Sequence, residues 1–299
     1  MPVELTLWPA CVKTHGFADQ LAAAAEAGYH TLAMGPLTYR KLLQEGCSPA
    51  EIRRMARDHG VKLGHYDGFA RWARYPFAQG TPSAAKEVFA DSVDECLQTC
   101  QDLELAAICA TGVYDPLEAE QSCLIDDFGE FCEKAARCGV QVDLEGIPMW
   151  GVPDLASAWA IVEGSGCNNA AVLLDSWHFF RGSADWELLR AMPAGSIRTV
   201  QLADARELPP ERSLLEDCLG YRLLPGEGDI PLKTLLGILK DKGGIYSFGP
   251  EVFSHELDAL DARTAAARCE RATRKVISAV YSAAGGTPAA DNDSNITME

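Results

Sequence analysis

The chain has 299 residues, 47% of them hydrophobic, and a formal net charge of −17. This negative charge argues against nucleic acid, whose phosphates require a basic face, and it disfavours an anionic membrane surface. The sequence shows no signal peptide or transmembrane run and has 11 cysteines, an odd number, so we expect a cytoplasmic protein with reduced thiols.

Eight strand-like runs alternate with helical segments along the chain. The strands are predicted over residues 4–8, 31–35, 62–67, 106–112, 140–145, 170–174, 197–204 and 246–253. The helices are predicted over residues 17–28, 48–60, 83–103, 124–138, 154–166, 184–192, 231–242 and 263–283, with Ser48 in a capping box and Pro231 in the first helical position. Strand–helix alternation with short connections predicts a parallel α/β fold.

Eight strands are the number that closes a barrel, and the length fits a single barrel domain of about 250 residues. The alternative is a doubly wound open sheet, which would place a glycine-rich phosphate loop after the first strand. Residues 8–12, Trp-Pro-Ala-Cys-Val, do not form such a loop. We therefore predict a single-domain (β/α)8 TIM barrel over residues 1–284, with a small, polar and disordered tail over 285–299.

Polar side chains stand at the ends of the last four predicted strands. They are Glu145, Asp175, Gln201 and Glu251. The carboxyl ends of the strands meet at one mouth of a barrel, where such folds place their active sites. Three carboxylates and an amide oxygen suit hard divalent ions such as Mn²⁺, Mg²⁺ or Co²⁺ better than zinc. Without a cation the clustered carboxylates would repel one another and raise each other's pKa.

Each of these residues also has a structural explanation when it is taken alone. Glu145 could cap a helix or belong to an ion pair, and Gln201 could be an amide bonded to solvent or backbone. His178, three residues after Asp175, could be a half-buried histidine with satisfied hydrogen bonds. Four polar positions at four consecutive strand ends are harder to explain in this way, so the sequence favours a shared site.

The segments that carry these residues resemble the xylose isomerase-like (sugar phosphate isomerase/epimerase) TIM barrels. The resemblance spans nearly the whole chain and is strongest at residues 142–148 (Val-Asp-Leu-Glu-Gly-Ile-Pro), 174–178 (Leu-Asp-Ser-Trp-His), 200–204 (Val-Gln-Leu-Ala-Asp), 225–229 (Pro-Gly-Glu-Gly-Asp) and 250–252 (Pro-Glu-Val). It implies one divalent metal ion, with Mn²⁺ favoured, held by Glu145, Asp175, Gln201 and Glu251.

The resemblance also implies residues that contact a small-molecule substrate. His178 corresponds to a family histidine that contacts the substrate or orients the site, and Arg206 to an arginine that follows the third ligand. The other predicted contacts are Trp8 and Trp72, which with Trp177 would form an apolar face of the site, and Glu227, which with Arg206 could assist departure of a hydroxyl. Core packing is the alternative role for at least one of these tryptophans.

The implied chemistry is enolisation, with Glu145 and Glu251 as the candidate bases and His178 as a further catalytic residue. Sugar epimerases usually carry His where Gln201 stands, whereas Gln resembles inosose dehydratases and some 3-dehydroshikimate dehydratases. We therefore favour a dehydratase, with an epimerase or isomerase as the alternative on the same metal site. A non-catalytic barrel that binds a ligand or partner is the alternative from another class. The substrate and the oligomeric state stay open, a homo-oligomer included, and residues 66–72 match no well-characterised relative.

Overall fold

Eight parallel strands form one sheet in strict chain order within residues 4–281, the part of the chain that the computed structural model describes. The strands are β1 (Thr6–Leu7), β2 (Thr31–Met34), β3 (Lys62–Phe69), β4 (Ala107–Ala110), β5 (Gln141–Glu145), β6 (Ala170–Asp175), β7 (Ile197–Leu202) and β8 (Ser247–Pro250). An isolated parallel bridge between Leu5 and Phe248 links the last strand back to the first. The sheet is therefore a barrel, as the sequence predicted.

Helices follow the strands and cover the outside of this barrel. They are α1 (Phe17–Ala27), α2 (Pro36–Gln44), α3 (Pro49–Asp58), α4 (Ser83–Val88), α5 (Val93–Leu103), α6 (Gln121–Arg137), α7 (Leu155–Ser165), α8 (Ser176–Arg181), α9 (Trp186–Ala191), α10 (Leu214–Gly220), α11 (Leu232–Lys242), α12 (His255–Asp258) and α13 (Ala262–Tyr281). A short 3-10 helix, Pro9–Val12, follows β1. The single-domain TIM barrel is confirmed, and the predicted tail over 285–299 lies outside the described residues.

The helix predicted over residues 83–103 is wrong, because two helices occupy that segment. Ser92 begins α5 with a capping box, in which the Ser92 amide donates to Glu95 Oε2 at 2.8 Å and the Glu95 amide donates to Ser92 Oγ at 3.3 Å. This cap satisfies amides that a continuous helix would bond internally, so the chain breaks after α4. The break leaves Phe89 between the two helices and buried.

The start of α11 and the long loop before it also differ from the prediction. Pro231 is the N-cap residue of α11 rather than its first helical residue. The loop over residues 205–230 contains the short helix α10, which Ser213 and Glu216 cap in the same way as α5. Both differences arise from local capping and turn chemistry that helical periodicity does not report.

The interior of the barrel holds side chains that alternate along each strand. Trp8 is fully buried there and packs with Ala33, Cys109 and Leu173. Its indole passes over Gly249, where a Cβ atom would overlap the Thr6 carbonyl oxygen and lie 2.8 Å from Trp8 Nε1, so no larger residue fits there. The eleven cysteines, all in the described part, are free thiols. No helix among residues 4–281 is long and apolar enough to span a bilayer.

Candidate active site

The four predicted ligands lie at adjacent strand ends, as parallel pairing requires. Glu145 is the last residue of β5 and Asp175 the last of β6, while Gln201 is on β7 and Glu251 directly follows β8. Asp175 is paired in register with Gln201. All four side chains are buried, with exposures of 8%, 2%, 0% and 6% respectively. The barrel therefore brings three carboxyl groups and one amide to one mouth.

Asp175 also begins helix α8 and thereby positions His178. Its Oδ1 accepts hydrogen bonds from the amides of Trp177 at 2.6 Å and His178 at 3.0 Å. Capping of this kind fixes the first turn of a helix. As a result His178 Nε2 lies 3.6 Å from Glu145 Oε1 on the neighbouring strand. The ligand atoms of Glu145, Asp175 and His178 all lie within 4.8 Å of one another.

A buried arginine, Arg222, completes the cluster, and sequence analysis did not assign it to the site. Its Nη1 donates to Asp175 Oδ2 at 2.7 Å and to Glu251 Oε2 at 3.2 Å. Its Nη2 lies 3.2 Å from His178 Nε2, a distance at which a neutral imidazole accepts a hydrogen bond. Arg222 is only 1% exposed, so its charge is shared with these carboxyl groups and not with water.

The long loop after β7 holds Arg222 in place through backbone contacts at both sides. The Arg222 amide donates to the Phe253 carbonyl at 3.0 Å, and the next residue, Leu223, forms an antiparallel bridge with Asp204. The Asp204 carboxylate accepts hydrogen bonds from the amides of Gly226 and Ile230, each at 2.9 Å. The Pro-Gly-Glu-Gly-Asp motif thus acts as a brace that fixes the loop carrying Arg222. Because Arg222 lies three residues before this motif, the motif was the sequence feature that could have indicated it.

Burial perturbs the titration of the cluster strongly. It raises the pKa of Glu145 well above its usual value, with Asp175 adding repulsion. It also raises the pKa of Glu251, although Arg222 opposes the shift. For Asp175 the effect of burial is outweighed by Arg222 and by hydrogen bonds, so the pKa is lowered. Burial lowers the pKa of His178 to about 3, so the imidazole is neutral at physiological pH.

The donor atoms in this cluster fit a divalent cation. Among residues 4–281, the buried atoms without a hydrogen-bond partner include Glu145 Oε1 and Gln201 Oε1. Gln201 uses its amide nitrogen on Glu251 Oε1 at 3.1 Å, which leaves its carbonyl oxygen as the unpartnered atom. Buried polar atoms are rarely left unbonded unless a ligand or ion serves them. An oxygen-rich set of this type is suited to a hard cation.

A cavity of about 370 Å³ opens beside the cluster. Glu145, His178, Arg222 and Glu251 line it, and so does Asp67 at the end of β3. Burial raises the pKa of Asp67 to about 7, and Arg222 opposes the shift. Asp67 lies in the stretch over 66–72 that sequence analysis singled out only as unfamiliar. Three carboxyl groups and one guanidinium therefore line the cavity, and Asp175 is bonded to that guanidinium.

The other residues predicted to contact substrate do not line this cavity. Trp8 lies in the barrel interior, 4.9 Å from His65 between ring centroids. Trp72 is buried between Tyr114 and Phe128, and its Nε1 donates to the Thr111 carbonyl at 2.7 Å. The side chains of Arg206 and Glu227 are exposed. The structure thus brings together Glu145, Asp175, His178, Gln201 and Glu251, whereas Trp8, Trp72, Arg206 and Glu227 stand apart.

The family assignment follows from a match over most of the chain. The family model described as the xylose isomerase-like TIM barrel matches residues 21–273. The chain therefore belongs to the xylose isomerase-like TIM barrel family, which confirms the resemblance found in its sequence.

Two curated relatives and one solved structure illustrate the similarity. A 3-dehydroshikimate dehydratase of Pseudomonas putida is 26% identical, over 83% of this chain and 38% of the relative. An inosose isomerase of Halalkalibacterium halodurans is 31% identical, over 54% of this chain and 56% of the relative. This chain thus spans well under two thirds of either protein. A crystal structure of the IolI protein with a binding zinc atom has a TM-score of 0.79 at 21% identity, covering 94% of this chain and 100% of that one. A likeness at that identity supports the fold alone.

Proposed function

We propose that this chain is a divalent-metal-dependent enzyme that abstracts a proton α to the carbonyl of a keto-polyol or cyclic hydroxy-ketone. The observation that carries the proposal is a cluster of buried carboxyl groups beside a cavity of about 370 Å³, in which Glu145 Oε1 and Gln201 Oε1 have no hydrogen-bond partner within residues 4–281. Buried ionisable groups with strongly perturbed pKa values concentrate at catalytic sites. A packed structural cluster of the same residue types would have its oxygens satisfied.

The metal ligands in this proposal are Glu145, Asp175, Gln201 and Glu251. A bound divalent ion would supply Lewis-acid polarisation of the substrate carbonyl. Mn²⁺ is the first choice, with Mg²⁺ and Co²⁺ next, because all four donors are oxygens. The zinc atom of the IolI structure makes Zn²⁺ a necessary comparison.

The proton transfer falls to Glu145 or Glu251. Both line the cavity, and burial makes each carboxylate a stronger base once it is ionised. Arg222 keeps Asp175 ionised and offers positive charge beside Glu251, where negative charge on the substrate would develop. His178, neutral and 3.6 Å from Glu145 Oε1, orients that carboxyl group or a substrate hydroxyl.

We infer that the enolate collapses by expelling a β-hydroxyl, which makes the enzyme a dehydratase. The 3-dehydroshikimate dehydratase relatives support this outcome, as does Gln201, a weaker donor than histidine that leaves a metal ion the stronger Lewis acid. The second candidate is an isomerase or epimerase, in which the enolate is reprotonated instead. The inosose isomerase relatives favour it, since one of them is 31% identical over the matched segment.

Incubation of the metal-loaded protein in deuterated water tests both candidates. The substrates are an inosose, 3-dehydroshikimate and ketohexoses, each with Mn²⁺, Mg²⁺, Co²⁺ or Zn²⁺ added to chelator-treated protein. A new conjugated enone from an inosose or a ketohexose, or an aromatic product from 3-dehydroshikimate, seen by ultraviolet absorbance, supports the dehydratase. Deuterium entering an isomeric product that has lost no water supports the isomerase. Absence of both products with every metal would contradict the proposal and favour a barrel that only binds.

Metal analysis tests the ligand set independently of activity. Purified wild-type protein should hold one divalent ion per chain, and Glu145→Ala and Glu251→Ala should each lose it. Leu117→Ser, at a residue that is 94% exposed, is the control that should keep the ion. Full metal occupancy in both glutamate variants would show that the assignment is wrong.

A further inference from the structure

Large apolar side chains also line the cavity. Phe89 and Trp150 pack edge to face there, with ring centroids 5.3 Å apart. Met149 lines the same cavity, and so do Leu37 on α2 and Leu219 on α10. We call Leu37, Phe89, Met149, Trp150 and Leu219 the apolar wall. These residues come from four separate segments, so the fold converges on this surface as it does on the carboxyl cluster.

Two members of the apolar wall are exposed to solvent. Leu37 is 40% exposed and Leu219 is 48% exposed, and they belong to the few large hydrophobic residues of the described chain with such exposure. A single exposed leucine is ordinary on a protein surface. Two of them line the cavity that holds the buried carboxyl groups, together with the aromatic pair, and a ligand or a partner would cover their exposed surface.

Two polar side chains that line the cavity outside the carboxyl cluster, Gln20 and Lys13, already have partners. Gln20 donates through Nε2 to the carbonyls of Val12 at 3.3 Å and His15 at 3.0 Å. Lys13 forms an ion pair with Asp258. A substrate hydroxyl placed against the apolar wall would lose its water hydrogen bonds without replacement, which is unfavourable. A fully hydroxylated ring therefore matches the carboxyl groups of this cavity but not its apolar wall.

We propose that the apolar wall binds an apolar substituent, aryl or alkyl, carried by the hydroxy-ketone substrate. That the polar part of the substrate is a hydroxy-ketone rests on the function proposed above. That its other part is apolar follows from the residues of the apolar wall. In this arrangement the carbonyl and its hydroxyls face Glu145 and Glu251, and the substituent lies between the Phe89–Trp150 pair and the two exposed leucines. A site that has both polar and apolar lining residues favours substrates that carry both a polar and an apolar group.

Calorimetric binding to the metal-loaded protein tests the inference without any turnover. The probes are myo-inositol, an unreactive ring polyol, and its mono-O-benzyl ether. Burial of the benzyl group should lower the Kd by about tenfold or more relative to myo-inositol. The double variant Leu37→Ser/Leu219→Ser should lose most of that gain while its affinity for myo-inositol is unchanged. Leu117→Ser, which also removes an exposed leucine but lies outside the cavity, should keep the gain.

Two outcomes would overturn the apolar subsite. The first is an ether that binds no more tightly than myo-inositol. The second is a wild-type dimer in sedimentation that the double variant loses, with no preference for the ether, since the leucines would then form an interface between copies of this chain. Failure of the proposed function would give a different result. The ether would still bind more tightly than myo-inositol, and the double variant would still lose that preference. Neither an inosose nor its benzyl ether would be turned over. Turnover of the inosose without ether preference removes the subsite alone.

Discussion

Two acidic residues on one strand, Asp143 and Glu145, are buried to a similar degree but have opposite surroundings. Both Asp143 oxygens are bonded, Oδ1 to Arg198 Nε at 2.9 Å and Oδ2 to Thr199 Oγ1 at 2.7 Å. Glu145 is the next inward-facing residue toward the mouth of the barrel, and its Oε1 has no hydrogen-bond partner within residues 4–281. Gln201 repeats the contrast on β7, because it stands two residues beyond the satisfied Thr199.

The difference teaches how a buried polar group that supports the fold is distinguished from one that awaits a ligand. A satisfied network rigidifies the barrel, whereas unpartnered oxygens cost free energy that natural proteins tolerate mainly at functional sites. Burial alone does not separate the two cases, since Asp143 is 0% exposed and Glu145 is 8% exposed. The hydrogen-bond partners separate them, and amide substitutions of matched shape can test the distinction.

Glu145→Gln should have the largest effect, on turnover. The amide keeps the size of the side chain but removes a base and replaces an anionic metal ligand with a neutral one, so kcat should fall by about 10²–10⁴-fold. The free energy of unfolding should be unchanged or higher, because a carboxyl group with an unpartnered oxygen is no longer buried. Turnover of a keto-polyol and chemical denaturation are the two measurements. A large loss of stability with near-normal turnover would place Glu145 with Asp143 as a structural residue.

Asp143→Asn should have the opposite profile. It breaks a buried ion pair and leaves Arg198 without its carboxylate, which typically costs about 3–5 kcal/mol. Arg198 keeps its contact with the Asn169 carbonyl, so we expect a loss at the lower end of that range. Urea denaturation measures the loss, and kcat per folded molecule should stay within about threefold of wild type. A thousandfold lower kcat in a well-folded variant would contradict the structural role.

The fold was predictable because hydrophobic runs and strand–helix alternation report directly on a parallel barrel. The helix boundaries were less so, since they depend on short capping signals. Ser48, Ser92 and Ser213 each precede a glutamate by three residues, and all three form capping boxes. The prediction used only the Ser48 box. It therefore treated residues 83–103 as one helix and missed α10. The same pattern, applied consistently, would have predicted both.

The site was predictable where chemistry depends on strand ends and not where it depends on a long loop. Glu145 and Glu251 were found because each ends an apolar strand. Arg222 was missed because its burial requires the brace formed by Asp204 and the following glycine-rich turn, which is a tertiary contact. Phe89 was missed because it lies in the unpredicted helix break. Arg222 and Phe89 are placed by contacts between residues that are far apart in sequence, and hydrophobic periodicity does not report such contacts.

His65, which belongs with Asp143, should contribute an acid-dependent loss of stability. Burial lowers its folded-state pKa to about 4, whereas an unfolded histidine titrates near 6.5. The unfolded chain therefore binds the proton first as pH falls from about 6.5 to 4, and this costs on the order of 3 kcal/mol at the acid end. No such cost exists above pH 7. His65→Leu should become more stable relative to wild type over that window, measured by denaturation at each pH. A pH-independent difference would contradict the assignment.

The smallest predicted effect concerns His178, the histidine in the cluster of Glu145, Asp175 and Glu251. His178→Gln should lower kcat by about tenfold, because glutamine can still accept from Arg222 but cannot reproduce the ring beside Glu145. Metal content and the unfolding transition should stay close to wild type. His65→Gln is the matched control, since His65 bonds Thr199 beside Asp143, away from the carboxyl cluster, and should keep kcat unchanged. Equal turnover in the two variants would make His178 a second structural histidine and would leave Glu145, Glu251 and Arg222 to carry the chemistry.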